Sequence, residues 1–71
     1  MKKHTYFVEN HPEITRTTHR TYTHAVIFDR ENGATDACTW CGRYDLAAKE
    51  LSKYQKFGYK NVRIAHVHIK Q

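Results

Sequence analysis

The chain has 71 residues, of which 39% are apolar and 13% aromatic, and its formal net charge is +5. This length is that of one small domain, and it excludes a large substrate pocket. The longest apolar run, residues 25–28, is too short for a transmembrane helix or for the core of a secretion signal. We therefore expect one domain over residues 1–71, in the cytoplasm and without a membrane partner.

The first part of the chain, residues 1–18, is expected to form an N-terminal strand and a loop. Residues 5–8 are β-branched or aromatic and predict a strand, and residues 9–12 predict a turn or loop. Residues 19–71 are expected to contain a hairpin, a helix and a final strand.

The hairpin is predicted from residues 19–28, which are rich in β-branched and aromatic side chains, and from the Asn32-Gly33 pair that follows them. Residues 34–43 form the return strand. A two-residue loop would place Asp29 opposite Asp36, and two like charges in that position destabilise a sheet.

A three-residue loop, with Gly33 in the left-handed conformation, avoids that repulsion, and we expect this register. It predicts that four side chains share one face of the hairpin: Val26, Phe28, Cys38 and Trp40. Cys41 is then expected on the opposite face.

A helix is predicted over residues 46–57, with Asp45 as its N-cap and Gly58 as the residue that ends it. Tyr59 is placed to contact the last turn of this helix. The buried stripe is expected to contain Ala47, Leu51 and Tyr54, with help from Ala48 and Phe57.

The final strand is predicted over residues 61–69, with apolar side chains on both faces, as is typical of an interior strand. Val62 and Ile64 point to one face, and Ala65, Val67 and Ile69 to the other. The expected fold class is α+β: a mostly antiparallel sheet of three or four strands, with one α-helix packed on one face, in the order ββαβ.

The two cysteines suggest a metal site, because Cys38 and Cys41 together with His66 and His68 give the ligand count of a Cys2His2 zinc site. The spacing of these residues does not match that of the usual zinc fingers, however. A redox role for the Cys-x-x-Cys pair is also disfavoured, because the first cysteine does not stand at a helix N-terminus that would lower its pKa. We predict no metal and no cofactor, and we keep a small zinc-binding module as an alternative.

Basic side chains give the clearest candidate surface. Residues 51–71 carry the whole excess of positive charge and contain no acid. Lys49, Lys53 and Lys56 recur at helical spacing and Lys60 continues the series, so they are predicted to contact an acidic partner or phosphates. Arg43 and Arg63 are added to this candidate site. An ordinary solvated helix face is the competing interpretation.

The six histidines form no recognisable catalytic pattern, because the sequence shows no Ser/His/Asp or Cys/His arrangement. His24 is expected to lie beside Val26 in a hydrogen-bonded structural role. We therefore predict that the protein is not an enzyme.

The chain resembles the small strand-strand-helix-strand proteins of bacteriophages. The resemblance is carried by the strand at residues 22–28, the segments 39–43 and 45–49, and the closing strand. The resemblance covers roughly residues 20–70. It implies a stoichiometric binder of the anti-CRISPR or host-takeover type, acting in the host cytoplasm, and it transfers no catalytic residue.

The first hypothesis is therefore a basic, phage-encoded inhibitor that binds a host protein complex. The alternative is sequence-independent binding of nucleic acid by the same cations. A homodimer is a further hypothesis. If the second sheet face is open, it exposes four apolar side chains that a second copy could cover: Ala25, Ile27, Ala37 and Ile69.

Overall fold

The computed structural model describes residues 2–70, and most of them lie in one five-stranded antiparallel sheet. Along the chain the elements are β1 (His4–Val8), β2 (His11–Thr18), β3 (His24–Asp29), β4 (Thr35–Cys41), α1 (Tyr44–Lys56) and β5 (Lys60–Ile69). In space the strands follow the order β2-β1-β5-β3-β4. The last strand of the chain therefore lies at the centre of the sheet, as its two apolar faces predicted.

The sheet curls into a half-barrel, since its two edge strands, β2 and β4, approach each other without pairing. The inner face of this half-barrel holds the larger core. Its buried members are Tyr6, Val8, Ile14, Ala25, Ile27 and Val67. Four partly buried side chains complete it, and all lie on the same inner face: Tyr22, Ala37, Trp40 and Ala65.

Helix α1 packs on the outer face, against β3, β4 and β5. Ala47 is the fully buried residue of the helix, and it meets Val26 and Cys41 of the sheet. The predicted stripe of Ala47, Leu51 and Tyr54 is confirmed in this second core. Within residues 2–70, no helix has the length and apolar character needed to cross a membrane.

The predicted fold class is wrong in strand number and order, because β2 was taken for part of a loop. This strand contains Pro12 and has Ile14 as its one buried residue, with solvent-exposed neighbours on both sides. An edge strand tolerates proline and needs little apolar character, because one of its sides has no strand partner. Such a strand gives no apolar alternation from which it could be recognised.

The hairpin register is confirmed next to the turn, where Phe28 pairs with Asp36 and Gly33 has a φ angle of 90°. Farther along, the pairing shifts by one residue between Val26 and Ile27. Beyond this bulge, each side chain of β4 points to the sheet face opposite to the predicted one. Trp40 therefore lies in the inner core instead of beside Val26, and the predicted shared face is wrong for Trp40.

The predicted opposition of the two cysteines is also wrong. Cys38 is the extra residue of the bulge, and both Cys38 and Cys41 pack in the core under the helix. A bulge of this kind changes which face a side chain occupies without leaving a local sequence signal.

The helix begins at Tyr44, with Arg43 as N-cap, rather than after Asp45. Its C-terminal end is the predicted one: Gly58 has a φ angle of 86°. The amide of Gly58 donates to the carbonyl of Gln55, and that of Tyr59 donates to the carbonyl of Tyr54, which is the Schellman arrangement.

The inner sheet face is mostly covered: two of the four side chains on which the dimer prediction rested are buried, whereas Ile69 remains 45% exposed and the dimer stays a prediction. Ala25 is 0% exposed and Ile27 is 2% exposed, because the curl brings the β1–β2 hairpin over them. Apolar side chains that are already covered cannot form a contact between two copies.

Candidate binding surfaces

The structure separates the six predicted cations into two groups. Lys49, Lys53 and Lys56 are exposed on α1, and Lys60 is exposed at the start of β5. The two arginines have acidic partners within the chain. Arg63 Nη1 lies 3.2 Å from Asp29 Oδ1, and Arg43 Nε lies 3.3 Å from Asp45 Oδ1. Their charges are thus already partly compensated.

Among the four lysines, one has an acidic neighbour on the helix. Lys53 Nζ lies 3.8 Å from a carboxylate oxygen of Glu50, one helical turn earlier. Within residues 2–70, Lys49, Lys56 and Lys60 form no salt bridge. An exposed ion pair of the Lys53 type contributes little to stability, so it leaves this lysine available to a partner.

Four aromatic rings contact one another in series at the C-terminal end of α1. The ring centroids of Phe28 and Tyr59 are 4.8 Å apart, and those of Tyr59 and Tyr54 are 5.2 Å apart. Phe57 continues the series, with its centroid 5.9 Å from that of Tyr54 in an edge-to-face contact. These contacts hold the rings of Phe57 and Tyr59 against Tyr54, and both residues remain exposed.

Phe57 is the most exposed phenylalanine of this series: 62% of its surface is accessible. The sequence predicted that Phe57 would help to form the buried stripe, and this is wrong. Phe57 is the C-cap residue, directly after the last residue of α1, Lys56. We define the aromatic-lysine patch as Lys53, Lys56, Phe57, Tyr59 and Lys60.

Two acids at the β3–β4 end of the sheet are paired with arginines, whereas Glu31, which lines a hollow with Tyr59 and Lys60, forms no salt bridge within residues 2–70. Asp29 accepts from Arg63, as noted above, and Asp36 forms a close ion pair with Arg30. The hydrogen bond from Arg30 and the one from the amide of Ala37 lower the pKa of Asp36. Apart from the charge of Glu31, the β3–β4 end of the sheet therefore adds little net negative charge to the neighbourhood of the lysines.

The cysteines lie in a core, not in a reactive site. Burial raises the pKa of the Cys38 thiol to about 11, with a smaller contribution from the charge of Asp36. Burial also raises the pKa of Cys41, assisted by the charge of Glu50. Because the thiolate is the reactive and metal-binding form, both residues are disfavoured as nucleophiles.

The histidines do not join the cysteines in a metal site. His24 pairs directly across the sheet with Cys41 on one side and His66 on the other, and the two histidine rings are 5.0 Å apart. His68 lies elsewhere, against Phe7 and Glu9. Residues 2–70 contain no group of three or more His, Cys, Asp or Glu that could hold a metal ion. His24 Nδ1 lies 2.8 Å from the hydroxyl of the neighbouring Thr23, so the predicted hydrogen bond of this residue is present.

A second surface follows the free edge of β4, from β2 on one side to α1 on the other. The rings of Tyr22 and Trp40 are 6.0 Å apart there, and the guanidinium of Arg16 lies 6.0 Å from the Tyr22 centroid. Two adjoining hollows, of about 340 and 300 Å³, share Tyr22 and Trp40 as well as Arg20.

Sequence reasoning did not bring these residues together. Arg16 lies in a segment taken for a loop, Arg20 and Tyr22 were placed in the first hairpin strand although β3 begins at His24, and Trp40 was assigned to the wrong face. Sequence reasoning also missed Phe57 as a surface residue. The available signal was its position directly before Gly58, where a helix leaves its packing surface.

Comparisons with family models, curated proteins and solved structures give no match for this chain.

Proposed function

We propose that this chain is a small non-enzymatic binding protein, and that its aromatic-lysine patch contacts an acidic surface of another protein. The observation that carries the proposal is the exposure of Phe57, an apolar ring with no polar group, beside Lys56. An apolar side chain that is this exposed gains free energy when a partner covers it.

The composition of the patch supports a protein partner. Aromatic side chains are enriched at the centres of protein interfaces, while charged groups occur mainly at their solvated rims. Phe57 and Tyr59 provide the centre here, and Lys53, Lys56 and Lys60 surround it. The ring contacts with Tyr54 restrict the rotamers of both aromatic residues, so binding requires little further ordering.

The charges define the chemistry of the partner. Two of the three surrounding lysines, Lys56 and Lys60, have no acid of residues 2–70 within salt-bridge distance. An acidic protein surface satisfies them and accelerates association. If the chain is phage-encoded, as the resemblance implies, the partner is a component of a host complex and the protein is its inhibitor.

The test is a pull-down with the tagged protein from a nuclease-treated lysate of the encoding organism or its host. Three forms are compared: the natural chain, Phe57→Ser, and the control Tyr44→Ser. Tyr44 and Phe57 are both 62% exposed and lie at opposite ends of the same helix. The two variants therefore remove a similar exposed aromatic area at two sites.

We expect a defined polypeptide to bind the natural chain and Tyr44→Ser, and to lose about 2 kcal/mol of binding free energy with Phe57→Ser. Lys56→Glu should weaken the same complex through charge repulsion. Equal capture by Phe57→Ser would place the interface elsewhere. If no polypeptide is captured from the nuclease-treated lysate, the protein-binding proposal is wrong.

A further inference from the structure

We infer that the surface along the free edge of β4, from β2 to α1, is a second binding site for single-stranded nucleic acid. A base stacks there on Trp40 or Tyr22, and the adjoining phosphates contact arginine and lysine side chains. We call this site the β2–β4 cleft and define it by Arg16, Arg20, Tyr22, Trp40 and Lys49. It is separate from the aromatic-lysine patch and does not depend on it.

Charge is the first argument. Arg16, Arg20 and Lys49 line the two hollows, and none of them has a salt-bridge partner among residues 2–70. Glu50 is the one acid among the lining residues, and Lys53 lies 3.8 Å from it. The cleft therefore carries an uncompensated positive charge, which favours a ligand with several phosphates.

The aromatic pair is the second argument. Tyr22 and Trp40 pack on the inner core from one side, and they form part of the wall of both hollows on the other. Most of the accessible apolar wall belongs to the hollow toward α1, so the nucleobase stacks there, and stacking needs no particular base sequence. Each hollow, at about 340 and 300 Å³, is within the size range of small-ligand sites.

The third argument is that the segment carrying Arg20 is held rigidly. The hydroxyl of the buried Tyr6 donates to the carbonyl of Arg20 at 2.9 Å, and the amide of Arg20 donates to Thr18 Oγ1 at 3.2 Å. A Cβ atom at Gly42 would meet the carbonyl oxygen of Thr21 at 3.0 Å, so glycine allows this segment to lie against the end of β4. A fixed backbone reduces the entropy lost on binding.

A single strand fits this cleft better than a duplex does. The two hollows lie along the edge of β4, one toward β2 and one toward α1, and Tyr22 and Trp40 are half-buried between them and the inner core. A duplex keeps its bases stacked on each other, whereas an unpaired base can enter a hollow and meet a protein ring.

The experiment uses a labelled oligo-dT of about 12 nucleotides, a length suited to a small single-strand site. Trp40 is the only tryptophan of the chain, so its fluorescence reports directly on stacking in the cleft. Heparin serves as a polyanion without bases. The double variant Arg16→Gln/Arg20→Gln is compared with Lys56→Gln/Lys60→Gln, which loses the same charge at the other surface.

We expect oligo-dT, but not heparin, to quench Trp40. The arginine double variant should lower the slope of log affinity against log salt by about 0.7 for each lost phosphate contact, while the lysine double variant leaves the slope unchanged. Binding without a change in Trp40 fluorescence, an equal loss in both double variants, or no binding at all would overturn the inference. None of these results bears on the capture of a protein through Phe57.

Discussion

At the scale of single residues, Asp29 is the side chain that joins the largest number of strands. It accepts hydrogen bonds from Asn61 at 3.0 Å, from Thr35 at 2.9 Å and from Arg63 at 3.2 Å. These donors come from β4 and β5, the two neighbours of its own strand. The bond from Asn61 contributes most to lowering the pKa of Asp29 below its ordinary value of 3.8, followed by that from Thr35.

Because the pKa of Asp29 is lower in the folded state, its ionised carboxylate stabilises the fold. This contribution is fully present at pH values above the unfolded-state pKa. It is lost as the pH falls through the folded-state pKa. We expect Asp29→Asn to lower the free energy of unfolding near pH 7, and the difference from the natural chain to shrink as the pH falls below the ordinary aspartate pKa of 3.8 and then through the lower folded-state pKa. Urea denaturation near pH 7 and below pH 3.8 measures this. Glu31→Gln, an exposed change in the same hairpin, is the control, and a difference of equal size at both pH values would contradict the assignment.

At the scale of elements, the end of helix α1 depends on the backbone conformation of one residue. Gly58 has a φ angle of 86°, and a Cβ atom there would meet no other atom within 4 Å. Substitution is thus opposed by conformation alone. We expect Gly58→Ala to destabilise the protein by about 1–2 kcal/mol, and Gly58→Asn by less, because asparagine adopts left-handed conformations more readily. Equal urea midpoints for both variants would show that the Schellman end contributes nothing.

The elements that could be predicted are those with a local signal. Gly33 and Gly58 mark the turn and the helix end, because only a few residue types adopt a positive φ. The central position of β5 followed from apolar side chains on both its faces. The bulge at Cys38 and the edge strand around Ile14 could not be predicted, since both depend on contacts between distant parts of the chain.

At the scale of the whole molecule, the curl of the sheet depends on a few side chains of the N-terminal hairpin. Ile14 is 8% exposed and brings β2 onto the inner core, whereas Ile69 is 45% exposed. We expect Ile14→Ala to cost about 2–5 kcal/mol of unfolding free energy, because it leaves a cavity where the half-barrel closes. Ile69→Ala removes the same atoms and should cost less than about 1 kcal/mol. A similar cost for both would mean that the curl does not depend on Ile14.

The curl also explains how far the candidate sites could be predicted. Lys49, Lys53 and Lys56 were found from helical spacing, which requires no tertiary information. The β2–β4 cleft was not found, because it brings Arg16 and Trp40 together only when the two edges of the sheet approach each other. A surface made by one element can be read from its sequence, and one made by closure of a sheet cannot.

The central position of β5 has a consequence for synthesis on the ribosome. The β1–β2 and β3–β4 hairpins are joined in the sheet only through this strand, and Tyr6 pairs with Ile69 across nearly the whole chain. Until β5 has left the exit tunnel, the nascent chain can form two hairpins but not one sheet. Pairings over such distances form slowly, so the emerging chain exposes strand edges that the folded sheet covers once β5 has paired with both hairpins.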